Sequence, residues 1–173
     1  TVADETYGNL SLGGSGVKTL PATGPTIGGN LSISGTATTT AAAALTVNGA
    51  FTLGAGSTFN ASTFSHTVKG AFSNSGTLDA GTSTFTLAGA SAQAIGGASA
   101  TTFNNLTLGN GAGVSLDGVD ATVGGTLALA YTVVDSPAGD AAGGSAGTRA
   151  KVSVRINGER LWGSLMDMAE VGA

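Results

Sequence analysis

Five groups of residues in this chain have types and spacings that invite a chemical reading. Gly143-Gly-Ser-Ala-Gly147 has the G-x-S-x-G form of a nucleophile elbow, which needs a strand before it, a helix after it and a histidine partner. It lies in a Gly/Ala-rich stretch, so no elbow is expected. The only histidine, His66, has no cysteine to join it and no nearby carboxylate cluster, and reads as a solvated or corner residue rather than a metal ligand. Asp117 and Asp120, in Leu116-Asp-Gly-Val-Asp120, suggest calcium, but the repeating nonapeptide of calcium-binding β-rolls is missing and a turn pair is expected. The runs Thr36-Ala-Thr38-Thr-Thr40 and Thr82-Ser-Thr84-Phe-Thr86 have the T-x-T form of flat ice-binding faces. Such a face needs the motif in register on successive coils, whereas these two are 46 residues apart. Asn9, Asn30, Asn60 and Asn105 head N-x-S/T triplets, which a chain this rich in Asn, Ser and Thr produces by composition.

Polysaccharide-cleaving β-helices need acids and bases clustered on one face. Residues 1–130 hold only seven charged side chains, scattered as Asp4, Glu5, Lys18, Lys69, Asp79, Asp117 and Asp120. The expectation is therefore a protein that is not an enzyme, with no catalytic, cofactor-binding or metal-binding residue.

The composition narrows the class further. Charged residues are 9% of the chain and 30 of 173 residues are Gly, against 41% hydrophobic, which describes a folded, low-complexity chain rather than a disordered one. A net charge of −4 argues against a nucleic-acid partner and against docking on an anionic membrane. The absence of cysteine excludes a disulfide scaffold, a zinc ribbon and a thiol nucleophile. No run of about 18 apolar residues occurs, so no helical membrane span is expected. The chain opens at Thr1 without a basic leader or apolar segment, and reads as an excerpt of a longer protein.

Two parts meet near residue 131. The last 25 residues hold as many charges as the first 130, together with Trp162, Met166 and Met168. Between the parts, residues 135–150 read as a Gly/Ala/Ser linker. The expected domains are a solenoid over 1–134, this linker, and a short strand plus helix over 151–173.

The elements that would position any site come from a repeat: Thr, aliphatic, any, Gly, any, apolar, any, apolar. It occurs as Thr26-Ile-Gly-Gly-Asn-Leu-Ser-Ile33, Thr46-Val-Asn-Gly-Ala-Phe-Thr-Leu53 and Thr122-Val-Gly-Gly-Thr-Leu-Ala-Leu129. A degraded copy, Thr67-Val-Lys-Gly-Ala-Phe-Ser-Asn74, ends in Asn. Alternation of apolar and small polar residues is the period of a half-buried strand. Starts 20 and 21 residues apart match one coil of a parallel β-helix. A longer match also appears, because Thr6-Tyr-Gly-Asn-Leu-Ser-Leu12 and the block at Thr26 recur 96 residues later, at Thr102 and Thr122. That predicts about one and a third copies of a large unit.

Stacked coils at the inter-strand spacing of about 4.8 Å would form a continuous core and a rod of five or six coils, roughly 25–30 Å long. The predicted inward residues are Leu10, Leu12, Ile27, Leu31, Ile33, Val47, Phe51, Leu53, Val68, Phe72, Phe85, Leu87, Ile95, Phe103, Leu106, Leu108, Val114, Leu116, Val123, Leu127 and Leu129. Gly and Asn would make the corners, and Thr would face outward. The fold class is all-β, a parallel β-helix with a short C-terminal helix; a twisted sandwich is the rival arrangement.

The run from Gly70 to Leu87, then Gln93-Ala-Ile-Gly-Gly97 and Thr102-Phe-Asn-Asn-Leu-Thr-Leu108, resembles the repeats of large bacterial secreted and surface proteins. These are the autotransporter-like and filamentous-haemagglutinin-like adhesins. The resemblance covers residues 6–130. It implies export to the cell surface, a structural or adhesive role, and partners among glycans, host or matrix surfaces and neighbouring repeats of a longer chain.

The C-terminal words Arg155-Ile-Asn-Gly-Glu-Arg-Leu-Trp162 and Ser164-Leu-Met-Asp-Met-Ala169 are similar to the opening of zinc-dependent N-carbamoyl-amino-acid amidohydrolases. That family's zinc ligands and catalytic carboxylate lie further downstream, so the resemblance assigns none of them here. It leaves open a fusion whose enzyme part is incomplete in this chain, beside a capping or linking helix.

Overall fold

The structure is a computed structural model and describes residues 1–130. The expected linker, the C-terminal strand and helix, and the Gly143–Gly147 motif lie outside the described residues. Within them the solenoid is present: eighteen short strands, all paired in parallel, wind through six coils of three strands each.

The coils are β1 (Leu10–Leu12), β2 (Ser15–Thr19) and β3 (Thr26–Ile27); β4 (Leu31–Ile33), β5 (Thr36–Thr40) and β6 (Thr46–Val47); β7 (Phe51–Leu53), β8 (Thr58–Asn60) and β9 (Ser65–Val68); β10 (Phe72–Asn74), β11 (Thr77–Asp79) and β12 (Thr84–Leu87); β13 (Gln93–Gly96), β14 (Thr101–Phe103) and β15 (Asn105–Leu108); β16 (Val114–Asp117), β17 (Ala121–Val123) and β18 (Leu127–Leu129). The first strand of every coil stacks into one six-stranded face, β1-β4-β7-β10-β13-β16. The third strands stack into another, β3-β6-β9-β12-β15-β18. The second strands form β2-β5-β8-β11, which β14 and β17 continue as a separate pair beside β11.

Every strand is too short to bury itself. Nearly all contribute one or two inward apolar side chains, β2 with Gly16 and Lys18 at its inward positions being the exception, and stacking supplies the rest of the core. Leu10, Leu31, Phe51, Phe72, Ile95 and Leu116 pair successively up the first face. All but Leu116 are buried, and Leu116 packs against the core as a partly buried residue. Phe51 and Phe72 stack with ring centroids 4.9 Å apart and planes 5° from parallel. Phe59, Phe85 and Phe103 pack edge-on around them, at 5.1–6.4 Å. Such pairs contribute about 0.5–1.5 kcal/mol each beyond their buried area.

Of the predicted inward residues, the set from Leu10 to Leu106 is buried, while Leu108, Val114, Leu116 and Val123 are partly buried against the core. Leu127 and Leu129, on the last described coil, are 42% and 41% exposed. The core also takes Leu20, Leu45, Phe59 and three alanines that the alternation did not single out.

The 96-residue match has a different meaning from the one its sequence suggested. On the first face four coils take 85 residues (Leu10 to Ile95) and five take 106 (Leu10 to Leu116), so 96 residues is not a whole number of coils. The matched segments Leu10–Leu12 and Leu106–Leu108 accordingly lie on different faces. What repeats is a corner. Gly28 N donates to Tyr7 O at 2.7 Å, and 96 residues on Gly124 N donates to Phe103 O at 2.9 Å. Gly29 N bonds Gly8 O as Gly125 N bonds Asn104 O. Asn30 N donates to Asn9 Oδ1 at 2.7 Å, and Thr126 N to Asn105 Oδ1 at 2.9 Å. In the first coils this corner carries the chain from the third face to the first; in the last coils it carries it from the second to the third.

The shift is bridged by buried amides. Gln93 Nε2 donates to Gly70 O (2.6 Å) and Val68 O (3.1 Å), while its Oε1 accepts from Gly89 N (2.7 Å) and Asn110 Nδ2 (2.9 Å). Asn74, the residue that made its repeat look degraded, occupies an inward position aligned with Leu53. Its Nδ2 donates to Thr101 Oγ1 at 3.1 Å and its Oδ1 accepts from Gly76 N at 3.0 Å. An aliphatic side chain there would leave these groups unsatisfied.

Candidate interaction surface

The outward side chains stand in columns because the coils pair in register. On the third face Thr26, Thr46, Thr67, Thr86 and Thr107 are consecutive partners on five coils. Ala128 follows them on the sixth. Beside this column stand Ser65, Thr84 and Asn105. The first face carries Ser11, Ser32, Thr52 and Ser73. The second carries Val17, Thr38, Thr58 and Thr77, flanked by Thr19, Thr40, Asn60 and Asp79. Hydroxyls therefore repeat about every 4.8 Å between coils and at about 6.6 Å along a strand.

The two T-x-T runs do not form one array. Thr38 and Thr40 lie on β5 in the second face, and Thr84 and Thr86 on β12 in the third. Each run instead joins the column of its own face, built from residues outside either run. Thr39 and Ser83, within those runs, point inward; both are buried, and neither hydroxyl has a hydrogen-bond partner.

The other singled-out residues are used by the fold. His66 is not a solvated residue: it is 1% exposed, its ring lying between Phe59 (5.8 Å) and Phe85 (5.0 Å). Burial lowers its pKa from the ordinary 6.5, a shift partly opposed by the bond to Ala61 O. Asp117 and Asp120 are exposed at a turn where Gly118 has φ +70°. Among the described residues no three His, Cys, Asp or Glu side chains converge to hold a metal. Three of the four N-x-S/T asparagines are corner residues, since Asn9, Asn30 and Asn105 each accept a backbone N–H from the next coil through Oδ1. Asn60 accepts from Ser62 N at 3.0 Å, holding a turn in which Ser62 has φ +58°.

The buried amides Gln93, Asn74 and Asn110 escaped the sequence reading. The one signal present was Asn74 in a slot that the other copies fill with Ile or Leu.

Compared with protein-family models, curated proteins and solved structures, the chain has no match. Among the described residues no helix is long and apolar enough to cross a membrane.

Proposed function

We propose that this chain is a non-enzymatic structural or adhesive module of a bacterial surface or secreted repeat protein, working at the outer surface of the cell. The observation that carries this reading is the set of in-register Ser/Thr columns on three nearly uncharged faces. Such faces offer many weak hydroxyl contacts and no strong field, which suits multivalent contact with neutral polymers such as glycans or matrix components. Parallel coils also extend by addition, so further repeats would lengthen the rod without altering its faces. The test is binding of the full chain to glycan arrays and matrix proteins, beside a triple variant with Thr46, Thr67 and Thr86 changed to Lys. Retained ligands that the variant loses, with its β circular dichroism intact, support adhesion. Equal binding by both proteins refutes a role for the third face.

A second reading is favoured by the five-coil Thr column alone: a regular hydroxyl lattice suits a crystalline surface, ice included. Thermal hysteresis in the wild-type protein, lost in the same triple variant, would establish it. The remaining alternative, an incomplete amidohydrolase fused to the repeats, rests on residues 152–173. It predicts hydrolysis of N-carbamoyl amino acids only when downstream sequence is supplied. This chain with added zinc is expected to show none.

A further inference from the structure

His66 is the one titratable side chain inside the described core, and its ring joins two loops. Nδ1 lies 3.3 Å from Leu45 N and accepts its hydrogen; Nε2 lies 2.9 Å from Ala61 O and donates to it. This pair of bonds requires the neutral Nε2–H tautomer. Leu45 ends the loop between β5 and β6, and Ala61 opens the loop between β8 and β9, so one imidazole links the same corner of two successive coils. Its register partner on the next coil is Phe85. The column thus has an apolar rule that His66 alone breaks.

We propose that His66 is an acid-opened clasp: protonation releases the corner formed by residues 41–45 and 61–64 while the other coils stay wound. A proton on Nδ1 removes the only side-chain acceptor for Leu45 N and sets two donors against each other. It also places a cation between Phe59 and Phe85. Of the charged residues on neighbouring elements, Asp79 is exposed at the end of β11, where its Oδ1 accepts from Gly81 N, and Lys69 is exposed just past β9. Leu45, Phe59, Ala61 and Phe85 bring no counter-charge. An unpaired buried charge is relieved by neutralisation or by opening, and solenoid coils hold mainly to their neighbours, which lets opening stay local.

The experiment is backbone amide exchange of the full chain across pH 7 to 4, with the His66 imidazole followed by NMR in the same samples; the chain has one histidine, so its signal is unambiguous. Protection factors at Leu45 and in 61–64 are expected to fall, by up to about tenfold per pH unit, as pH drops from the free imidazole value towards the folded one. Those in β13 to β15 should hold, and a His66→Gln variant, which cannot titrate, should keep its corner protection constant. Constant wild-type protection through the His66 titration overturns the proposal. So does an equal loss in His66→Gln, or a titration at the free value with the corner closed.

Discussion

Asn9 and Gly29 compete for one volume: a Cβ on Gly29 would overlap Asn9 Oδ1, the atom that accepts the Asn30 N–H. The same relation recurs between Asn30 and Gly49, and between Asn105 and Gly125. Glycine is needed here for closeness rather than for an unusual φ. Gly29→Ala is expected to cost about 1–3 kcal/mol through overpacking against side chain and backbone. Gly8→Ala, with open space around its Cβ, should stay within about 0.5 kcal/mol of wild type. Urea unfolding of the two variants checks the contrast.

The corner asparagines tie each coil to the next through Oδ1. Asn30→Ala removes the acceptor of Ala50 N and should cost about 1–2 kcal/mol. Asn30→Asp, which keeps an acceptor oxygen, should cost less. Urea midpoints of the two variants measure the difference.

The stacked Phe51–Phe72 pair sits midway along the rod, with both rings fully buried. Phe72→Ala leaves a cavity against Phe51, Phe85 and Phe103 and should cost about 3–5 kcal/mol. Denaturant unfolding followed by far-UV circular dichroism measures it.

Gln93 donates two hydrogen bonds to carbonyls and accepts two. Gln93→Glu keeps the shape but turns the donor end into an acceptor facing Gly70 O and Val68 O. The expected loss is about 2–4 kcal/mol, larger than for any substitution on an exposed Thr column. Urea midpoints at pH 7 decide it.

For the whole molecule the His66 linkage has a definite sign. Its folded pKa lies below the ordinary 6.5 because burial disfavours the imidazolium. The unfolded chain therefore binds the proton first as pH falls. The stabilisation is complete above about pH 6.5 and is lost as pH drops from there through the folded value. Melting temperature across pH 8 to 4 should show this fall in wild type, and His66→Gln should lack that component.

The solenoid was legible in the sequence because its signal is local. Thr26, Thr46 and Thr67 announce a coil of 20–21 residues, and the structure pairs them with one another. The alternation in Leu31-Ser-Ile33 or Phe51-Thr-Leu53 marks inside and outside without knowledge of neighbours, since a strand's faces alternate at period two. Calcium, elbow and glycan motifs are equally local in the sequence.

The face on which each repeat lands was not legible. Asn9 and Asn105 belong to identical corners 96 residues apart, yet the chain between them completes a fractional number of coils, and only stacking counts coils. Likewise nothing near Gln93 in the chain shows that it would be buried, and Asn74 is marked only by its slot in the repeat. Their hydrogen-bond partners lie mostly 17–27 residues away, brought close by the winding. Sequence alone determined the strand period, the coil length and the glycine corners, because these are properties of adjacent residues. Tertiary structure decided which hydroxyls share a column and which polar groups enter the core, because register between coils is set by packing across the rod, not along the chain.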